Sequence, residues 1–244
     1  MGNFVYMSGT GNDFIVSTHT GPSSEIQIIS LVADSDYEVD GVIFVEPIDN
    51  TTIKMHYFNS DGSSAELCIN GVRCAAKYAF DNDLISSTEF TVLAPVGDLS
   101  VIIKENLVTV DSPIPTFTEK SLIINGYNCI KAEVGNPHLI VKIDNVDSFN
   151  LKEFSNVVKQ SGLFPDGINI EIYELLNNSF IKSRVYERGV GETDACGSGA
   201  LCLFNYLYTK NKTMNPSTVH FPGGDLDIEY KDSKLLLTGT VTYL

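Results

Sequence analysis

Basic side chains are scarce in this chain of 244 residues, in which 16 Lys and Arg stand against 31 Asp and Glu and leave a formal net charge of -15. Because such a surface repels nucleic acid and anionic membranes, we expect neither as a partner. The sequence also lacks an apolar run that could span a bilayer, and it lacks a signal-peptide core at its N-terminus. Five cysteines without an export signal predict free thiols in a reducing cytoplasm.

A duplicated pattern is the main feature that the sequence does contain. The segments 68–74 and 196–202 both read C-x-x-G-x-x-C. Further matches recur in the same order at nearly the same offset: 95–99 with 222–226, 40–44 with 166–170, and 11–15 with 135–139. The chain is therefore predicted to be two copies of a unit of about 120 residues, with a site formed from matching loops of both copies.

Strand-like runs, rich in β-branched and aromatic residues, dominate both halves. They are 14–16, 41–45, 52–58, 89–93, 99–103 and 107–110, and then 138–142, 169–172, 181–186, 226–230 and 235–238. Each half has one strong helix candidate directly after its cysteine, at 70–82 and at 198–210, and weaker helices are predicted at 24–33 and 151–161. The proline-containing segment 111–117 is interpreted as a linker. The predicted class is α+β, with a curved, mainly antiparallel sheet around one central helix in each half.

Four segments together resemble the diaminopimelate epimerase family: 9–14 (GTGNDF), 59–74, 135–138 (GNPH) and 187–200. The resemblance implies two pseudo-symmetric domains, each a sheet wrapped around a helix. It implies inversion of one α-carbon of LL-diaminopimelate to the meso form, for lysine and peptidoglycan synthesis, without cofactor or metal. It also implies domains at 1–112, joined by a last strand at 239–244, and at 113–238, with the active site in the cleft between them. A homodimer is left open as the assembly.

The chemistry of such an inversion explains why two cysteines are needed. One base must remove the α-proton from one face while an acid delivers a proton to the other, and Cys68 and Cys196 fit these roles. A helix N-terminus can draw the pKa of a cysteine from about 8.5 toward neutral. The negative charge that develops flows into the substrate α-carboxylate. Four backbone N–H groups at the two helix ends are expected to hold that carboxylate: those of Ile69, Asn70, Gly197 and Ser198.

The other site residues are assigned by resemblance alone. His138 and Glu187 match the polar partners of the catalytic pair, and Glu187 is also expected at the substrate. Arg188 is expected to grip the distal carboxylate of the substrate with its planar guanidinium. The remaining substrate-binding positions are asparagines: Asn12, Asn59, Asn136 and Asn169. By contrast Cys74, Cys202 and Cys129 are interpreted as small core residues.

One departure from the family pattern and two alternative functions stay open at this point. The family normally has glycine where this chain has Ile69, and β-branched residues disfavour positive φ, so an altered loop or pocket is expected there. A related cofactor-independent racemase acting on histidine or lysine is the nearest alternative function. An alternative of another class is a metal or redox module built from the four paired cysteines, although their spacing is poor for zinc.

Overall fold

The computed structural model describes residues 4–18, 24–64 and 68–244; residues 65–67 of the 59–74 motif lie outside the described part of the chain. Two compact units are present. The first contains the described residues up to Ser112 together with Thr238–Leu244, and the second is Pro113–Leu237. No helix among the described residues is long and apolar enough to cross a membrane.

Eighteen strands and four helices are numbered along the described chain. The strands are β1 (Val5–Gly9), β2 (Asn12–Thr18), β3 (Gly41–Asp49), β4 (Thr52–Asn59), β5 (Glu89–Ala94), β6 (Gly97–Lys104), β7 (Leu107–Ser112), β8 (Thr116–Phe117), β9 (Leu122–Ile124), β10 (Tyr127–Glu133), β11 (Pro137–Lys142), β12 (Asn169–Asn177), β13 (Phe180–Glu187), β14 (Gly191–Thr193), β15 (Ser217–Phe221), β16 (Gly224–Lys231), β17 (Lys234–Thr240) and β18 (Thr242–Tyr243). The helices are α1 (Glu25–Ala33), α2 (Ile69–Asp81), α3 (Leu151–Gln160) and α4 (Gly197–Thr209).

The sheet of the first unit is mainly antiparallel. Strands β1–β2, β3–β4, β5–β6 and β6–β7 pair antiparallel, β18 adds to β1 in the same sense, and β2–β3 and β4–β5 are parallel. Helix α2 contacts every strand from β1 to β7, so the sheet surrounds it. Its buried face includes Val72, Ala75, Ala76 and Ala79, small side chains that allow close approach of the strands.

The second unit repeats this plan. Strands β10–β11, β12–β13, β13–β14 and β15–β16 are antiparallel, whereas β11–β12 and β13–β15 are parallel. Helix α4 packs on β11, β12, β15 and β16, and α3 packs on β13 and β14. The predicted fold class is confirmed: each unit is a curved, mainly antiparallel sheet around a central helix.

All four predicted helices are confirmed, and their first residues show what starts them. Ser24 forms a capping box with Gln27 at the start of α1, and Asn150 caps α3 by accepting from the Glu153 N–H. The two central helices begin one residue earlier than predicted, because Cys68 and Cys196 themselves occupy the N-cap positions. Cysteine is not among the usual N-cap residues, so the sequence pattern placed both starts too late.

The predicted linker was wrong in extent. Strand β7 runs to Ser112 and β8 begins at Thr116, so only the three residues 113–115 lie outside strands. The proline criterion marked the correct place but too wide a segment. Strands β1, β8, β9, β10, β14 and β15 were not predicted, because they are short or, like β10 with its Asn128, Lys131 and Glu133, carry many polar residues. The last strand, expected from the resemblance at 239–244, is present as β18.

Candidate active site

The two repeated cysteines have nearly the same backbone geometry at the starts of the two central helices. Cys68 has φ/ψ of -136°/94° and its Sγ accepts from the Gly71 N–H at 3.3 Å. Cys196 has φ/ψ of -134°/111° and its Sγ accepts from the Gly199 N–H at 3.4 Å. Each sulfur therefore lies at a helix N-terminus, where the backbone carries partial positive charge.

The first N–H groups of both helices lie beside these sulfurs. The first bonds back to the cysteine carbonyls come from Val72 to Cys68 and from Ala200 to Cys196, each at 2.9 Å. The N–H groups of the residues between each cysteine and the first of these bonds have no carbonyl partner within the helix. Among them, the glycine N–H donates to the cysteine sulfur. That leaves the amides of four residues directed out of the helix ends, and these are Ile69, Asn70, Gly197 and Ser198.

Ile69 is accommodated within the first turn of α2. It is the first residue of α2, with right-handed helical backbone, and its side chain is buried. The matching Gly197 is likewise helical and has no positive φ. Because the position does not need positive φ, isoleucine is tolerated there and glycine is not required by the backbone.

A buried polar cluster lies behind Cys196 in the second unit. The Nδ1 atom of His138 lies 2.7 Å from Oε1 of Glu171, and Nε2 lies 2.8 Å from Oδ1 of Asn136. His138 and Glu171 are both 0% exposed. Strands β11 and β12 produce the cluster, since His138 pairs with Asn169 and Glu171 follows two residues later on the same face.

The hydrogen-bond partners of His138 hold its ring in place. The oxygen of Asn136 faces Nε2, and the Glu171 carboxyl group faces Nδ1. The second oxygen of Glu171, Oε2, is buried without a hydrogen-bond partner among the described residues.

The Cys196 thiol is the more difficult of the two to ionise. Burial raises its pKa well above the usual range, and the carboxyl groups of Glu187 and Glu171 raise it further. The Ser198 hydroxyl, 3.4 Å from Sγ, and the Gly199 N–H lower the pKa, but their effect is smaller. The expectation of a pKa drawn toward neutral is therefore wrong for Cys196, because burial outweighs the helix N-terminus there.

A buried cation, Arg73, interacts with Cys68. Arg73 on α2 is 0% exposed, and burial lowers its pKa to about 10, whereas the thiols of Cys74 and Cys68 act to raise it. Because electrostatic attraction is mutual, the Arg73 guanidinium favours a thiolate at Cys68. Burial raises the pKa of the Cys74 thiol itself to about 12.

The predicted asparagines fall into separate groups. Asn12 and Asn70 are buried and hydrogen-bonded to one another, and Asn136 contacts His138 as described. The Oδ1 atom of Asn169 accepts from the backbone N–H of Arg188 at 2.8 Å. Asn59 instead donates to the Ser63 hydroxyl within its own turn, which is the ordinary role of asparagine in a loop.

Arg188 lies along the backbone of the neighbouring loop with an exposed guanidinium. Its Nη1 donates to the Asp166 carbonyl at 3.2 Å, and its chain covers Gly167, where a Cβ would lie 2.7 Å from the Arg188 Cγ. No carboxylate among the described residues forms a salt bridge with it. Arg188, Glu187 and helix α3 line a cavity of about 450 Å³. Glu187 accepts from the Thr193 hydroxyl at 2.6 Å.

The other three cysteines are core residues, as predicted. Cys74, Cys129 and Cys202 are each buried, and burial raises their pKa values, to about 11 for Cys129. Within the described ranges, the one group with metal-ligand proximity is His138, Glu171 and Cys196, whose donor atoms lie within 4.8 Å of one another. A metal there would use the Cys196 sulfur, and it would not be the cluster of four cysteines considered from the sequence.

Two residues of this site were missed from the sequence, Glu171 and Arg73. Glu171 had a weak signal, because it is the one charged residue in the otherwise apolar start of β12. Arg73 had none, since an arginine on a helix is normally solvated.

Comparison with known proteins decides the family. The family model described as diaminopimelate epimerase matches residues 4–115 and 130–244. The chain belongs to the diaminopimelate epimerase family. It is accordingly an isomerase. The diaminopimelate epimerase of Methanococcus maripaludis strain C5 is 34% identical, with 98% of this chain and 96% of that protein covered. That of Bacillus subtilis strain 168 is 32% identical, with 97% and 94% covered.

Solved structures show how widely this fold occurs beyond the diaminopimelate epimerase family. A predicted epimerase from Pseudomonas aeruginosa has a TM-score of 0.77 at 13% identity, covering 100% of this chain and 97% of that one. A phenazine biosynthesis protein of the PhzF family from Bacillus anthracis has a TM-score of 0.75 at 17% identity, covering 99% and 96%. At these identities the likeness concerns the fold alone.

Gly199 provides the space that the Glu171 carboxyl group occupies. A Cβ on Gly199 would lie 2.5 Å from Oε1 of Glu171, whereas a Cβ on the matching Gly71 would lie 3.1 Å from the terminal methyl groups of Ile43 and Met55. We predict that Gly199→Ala lowers the free energy of unfolding by roughly 1–3 kcal/mol, because the buried carboxyl group cannot move aside. Gly71→Ala should cost less. Urea denaturation of both variants tests this, and a larger loss in Gly71→Ala would contradict it.

The Glu187 carboxylate is predicted to hold Cys196 in its thiol form. Glu187→Gln removes the negative charge but keeps an oxygen for the Thr193 hydroxyl, so the pKa of Cys196 should fall. Alkylation of Cys196 by iodoacetamide, followed against pH by peptide mass spectrometry, measures this. Glu192→Gln, which changes a carboxylate paired with Arg184, is the control and should leave the profile unchanged. An unchanged profile in Glu187→Gln would refute the assignment.

Proposed function

We propose that this chain interconverts LL- and meso-2,6-diaminopimelate by moving an α-proton between two cysteines, without a cofactor. The observation that carries the proposal is the pair of cysteine-capped central helices, matched in backbone geometry and in sulfur–amide contact. The near full-length similarity to diaminopimelate epimerases supports the choice of substrate. The reaction serves lysine and peptidoglycan synthesis and takes place in the cytoplasm.

The electrostatic difference between the two thiols assigns their roles in one direction. Cys68, favoured as thiolate by Arg73, removes the α-proton of the substrate and becomes a thiol. Cys196, a thiol at rest, gives its proton to the opposite face of the same carbon and becomes a thiolate. In the reverse direction the two roles exchange. His138 and Glu187 lie close enough to influence Cys196 and act as its polar partners.

The carbanion between the two proton transfers needs stabilisation. Its charge moves into the α-carboxylate, which the outward amides of the two helix ends hold: those of Ile69, Asn70, Gly197 and Ser198. Fixed backbone N–H groups are well suited to this task, because they do not have to reorganise when the charge develops. The same helix ends therefore place the thiols and bind the developing dianion.

The distal end of the substrate separates the leading function from its nearest alternative. Diaminopimelate has a second carboxylate, and the exposed, carboxylate-free guanidinium of Arg188 can bind it at two points. The Asn169 side chain holds the Arg188 backbone in place, and Asn59 and Asn136 complete the proposed substrate contacts. Histidine and lysine lack a second carboxylate, so a racemase for them would leave Arg188 unused.

The decisive test of the reaction is α-proton exchange followed by NMR in D₂O, with LL-diaminopimelate, lysine and histidine offered in parallel under reducing conditions. Deuterium entering diaminopimelate, with meso product and no added cofactor, is the expected result. Cys68→Ala and Cys196→Ala should each lower kcat by at least about a thousand-fold, because the two proton transfers need both thiols. Full activity in either variant, or exchange only into lysine or histidine, would contradict the proposal.

Arg188→Lys tests the distal contact. A lysine keeps the charge but loses the planar fork, so we predict a KM for diaminopimelate that is raised about ten-fold, with a smaller change in kcat. Steady-state kinetics measures both constants, and Lys159→Arg, which changes a cation on α3 at the same cavity, is the comparison. An unchanged KM in Arg188→Lys would refute the assigned role.

A further inference from the structure

A chain of three hydrogen bonds leads from a buried cation to a carboxylate within the first unit. Arg73 donates from Nη2 to Oδ1 of Asn70 at 2.6 Å. Asn70 donates from Nδ2 to Oδ1 of Asn12 at 2.5 Å, and Asn12 donates from Nδ2 to Oδ2 of Asp40 at 3.2 Å. Both asparagines in the middle are residues that we place at the substrate.

The two ends of this chain determine its direction. A guanidinium can only donate and an ionised carboxylate can only accept, whereas an asparagine amide can do either and can rotate by half a turn. Arg73 therefore fixes the oxygen of Asn70 toward itself, and Asp40 fixes the NH₂ group of Asn12 toward itself. If either amide group rotated by half a turn, two donors or two acceptors would face each other. Each amide nitrogen keeps one further hydrogen for a ligand.

Further hydrogen bonds fix the Arg73 guanidinium, which is the donor in each of them. Its Nη1 donates to the Thr10 hydroxyl at 3.0 Å and to the Thr240 carbonyl at 2.8 Å, and its Nη2 also reaches the Gly9 carbonyl at 3.3 Å. All of these partners are neutral oxygens, and no carboxylate among the described residues forms a salt bridge with the guanidinium. A fully buried cation whose hydrogen bonds are all to neutral oxygens is costly for stability, which argues for a role in function.

Asp40 is held equally well at the other end. Its Oδ2 also accepts from the backbone N–H of Asp13 at 2.8 Å, and the Asp40 N–H donates to the Asp13 carbonyl at 2.8 Å. Asp13 is the residue next to Asn12 at the start of β2. The carboxylate therefore holds the Asn12 backbone region and the Asn12 side chain together.

We propose that Arg73 and Asp40 are positioning residues that fix the amide orientation of Asn70 and Asn12, so that both present N–H donors to the substrate carboxylate. The proposal rests on the proposed function. A reversed amide would present its oxygen to that carboxylate and repel it. Arg73 and Asp40 thus act through the two asparagines and do not themselves contact the substrate.

The central variant is Asp40→Asn, which keeps the size and one oxygen but gives Asn12 a partner that can also donate. We expect kcat/KM for LL-diaminopimelate to fall by about 10- to 100-fold, mainly through KM, because the Asn12 amide can then turn over. Asp49→Asn changes an exposed aspartate whose carboxylate contacts only its own turn, and it should leave kcat/KM unchanged. At the other end Arg73→Lys should retain more activity than Arg73→Gln, since lysine remains a donor only.

A spectroscopic readout on the free protein separates this proposal from the proposed function and from simple loss of structure. In ¹H–¹⁵N spectra, the side-chain NH₂ signals of Asn12 and Asn70 are assigned by their disappearance in Asn12→Asp and Asn70→Asp. In Asp40→Asn the Asn12 signal should shift or split while the backbone spectrum stays close to that of the unaltered protein. If Arg73→Gln does not fold, the Asp40→Asn variant alone tests the positioning role.

The outcomes are distinct. An unshifted Asn12 amide together with unchanged kcat/KM in Asp40→Asn would overturn the positioning role. A fall of equal size in Asp49→Asn would overturn it as well, because the effect would then not depend on the chain. If the unaltered protein does not exchange the α-proton of diaminopimelate, the proposed function fails, and the NMR signals still report on whether the two ends fix the amides.

Discussion

The capping of each central helix by a cysteine sulfur is the interaction on which the rest of the site depends. The sulfur accepts the N–H of the glycine three residues later, so the thiol and the free amides of the first turn are fixed at one point. Each helix N-terminus is held in place because each helix is buried within its own sheet. A cysteine elsewhere on the helix would lack either the adjacent amides or the positive end of the helix dipole.

Duplication accounts for the shared geometry of the two thiols but not for their charge. Glu187 and the His138–Glu171 pair lie near Cys196, whereas a buried guanidinium lies near Cys68. If the two thiols had identical surroundings, neither would be favoured as the thiolate before the substrate binds. In the proposed mechanism, the carboxyl groups near Cys196 favour its role as acid, and the Arg73 guanidinium near Cys68 favours its role as base.

The sequence predicted the parts of this account that depend on local pattern. The four helices, most long strands and the cysteine positions follow from periodicity and from the repeat. Local pattern also explains an error: it set both central helices one residue late, because cysteine is a rare cap. The structure shows no positive φ at Ile69. Arg73 could not be predicted and Glu171 had only a weak signal, since their partners come from other strands and loops, distant along the sequence.

The measurement that tests the central claim most directly is the position of deuterium early in the reaction of LL-diaminopimelate in D₂O. If one thiol removes the proton and the other delivers a solvent-derived one, the meso product carries deuterium at the inverted carbon while the recovered LL substrate still carries protium. This is the result that the account predicts. Deuterium appearing in the recovered LL substrate as fast as in the product would show that a single group both removes and returns the proton, and it would contradict the account.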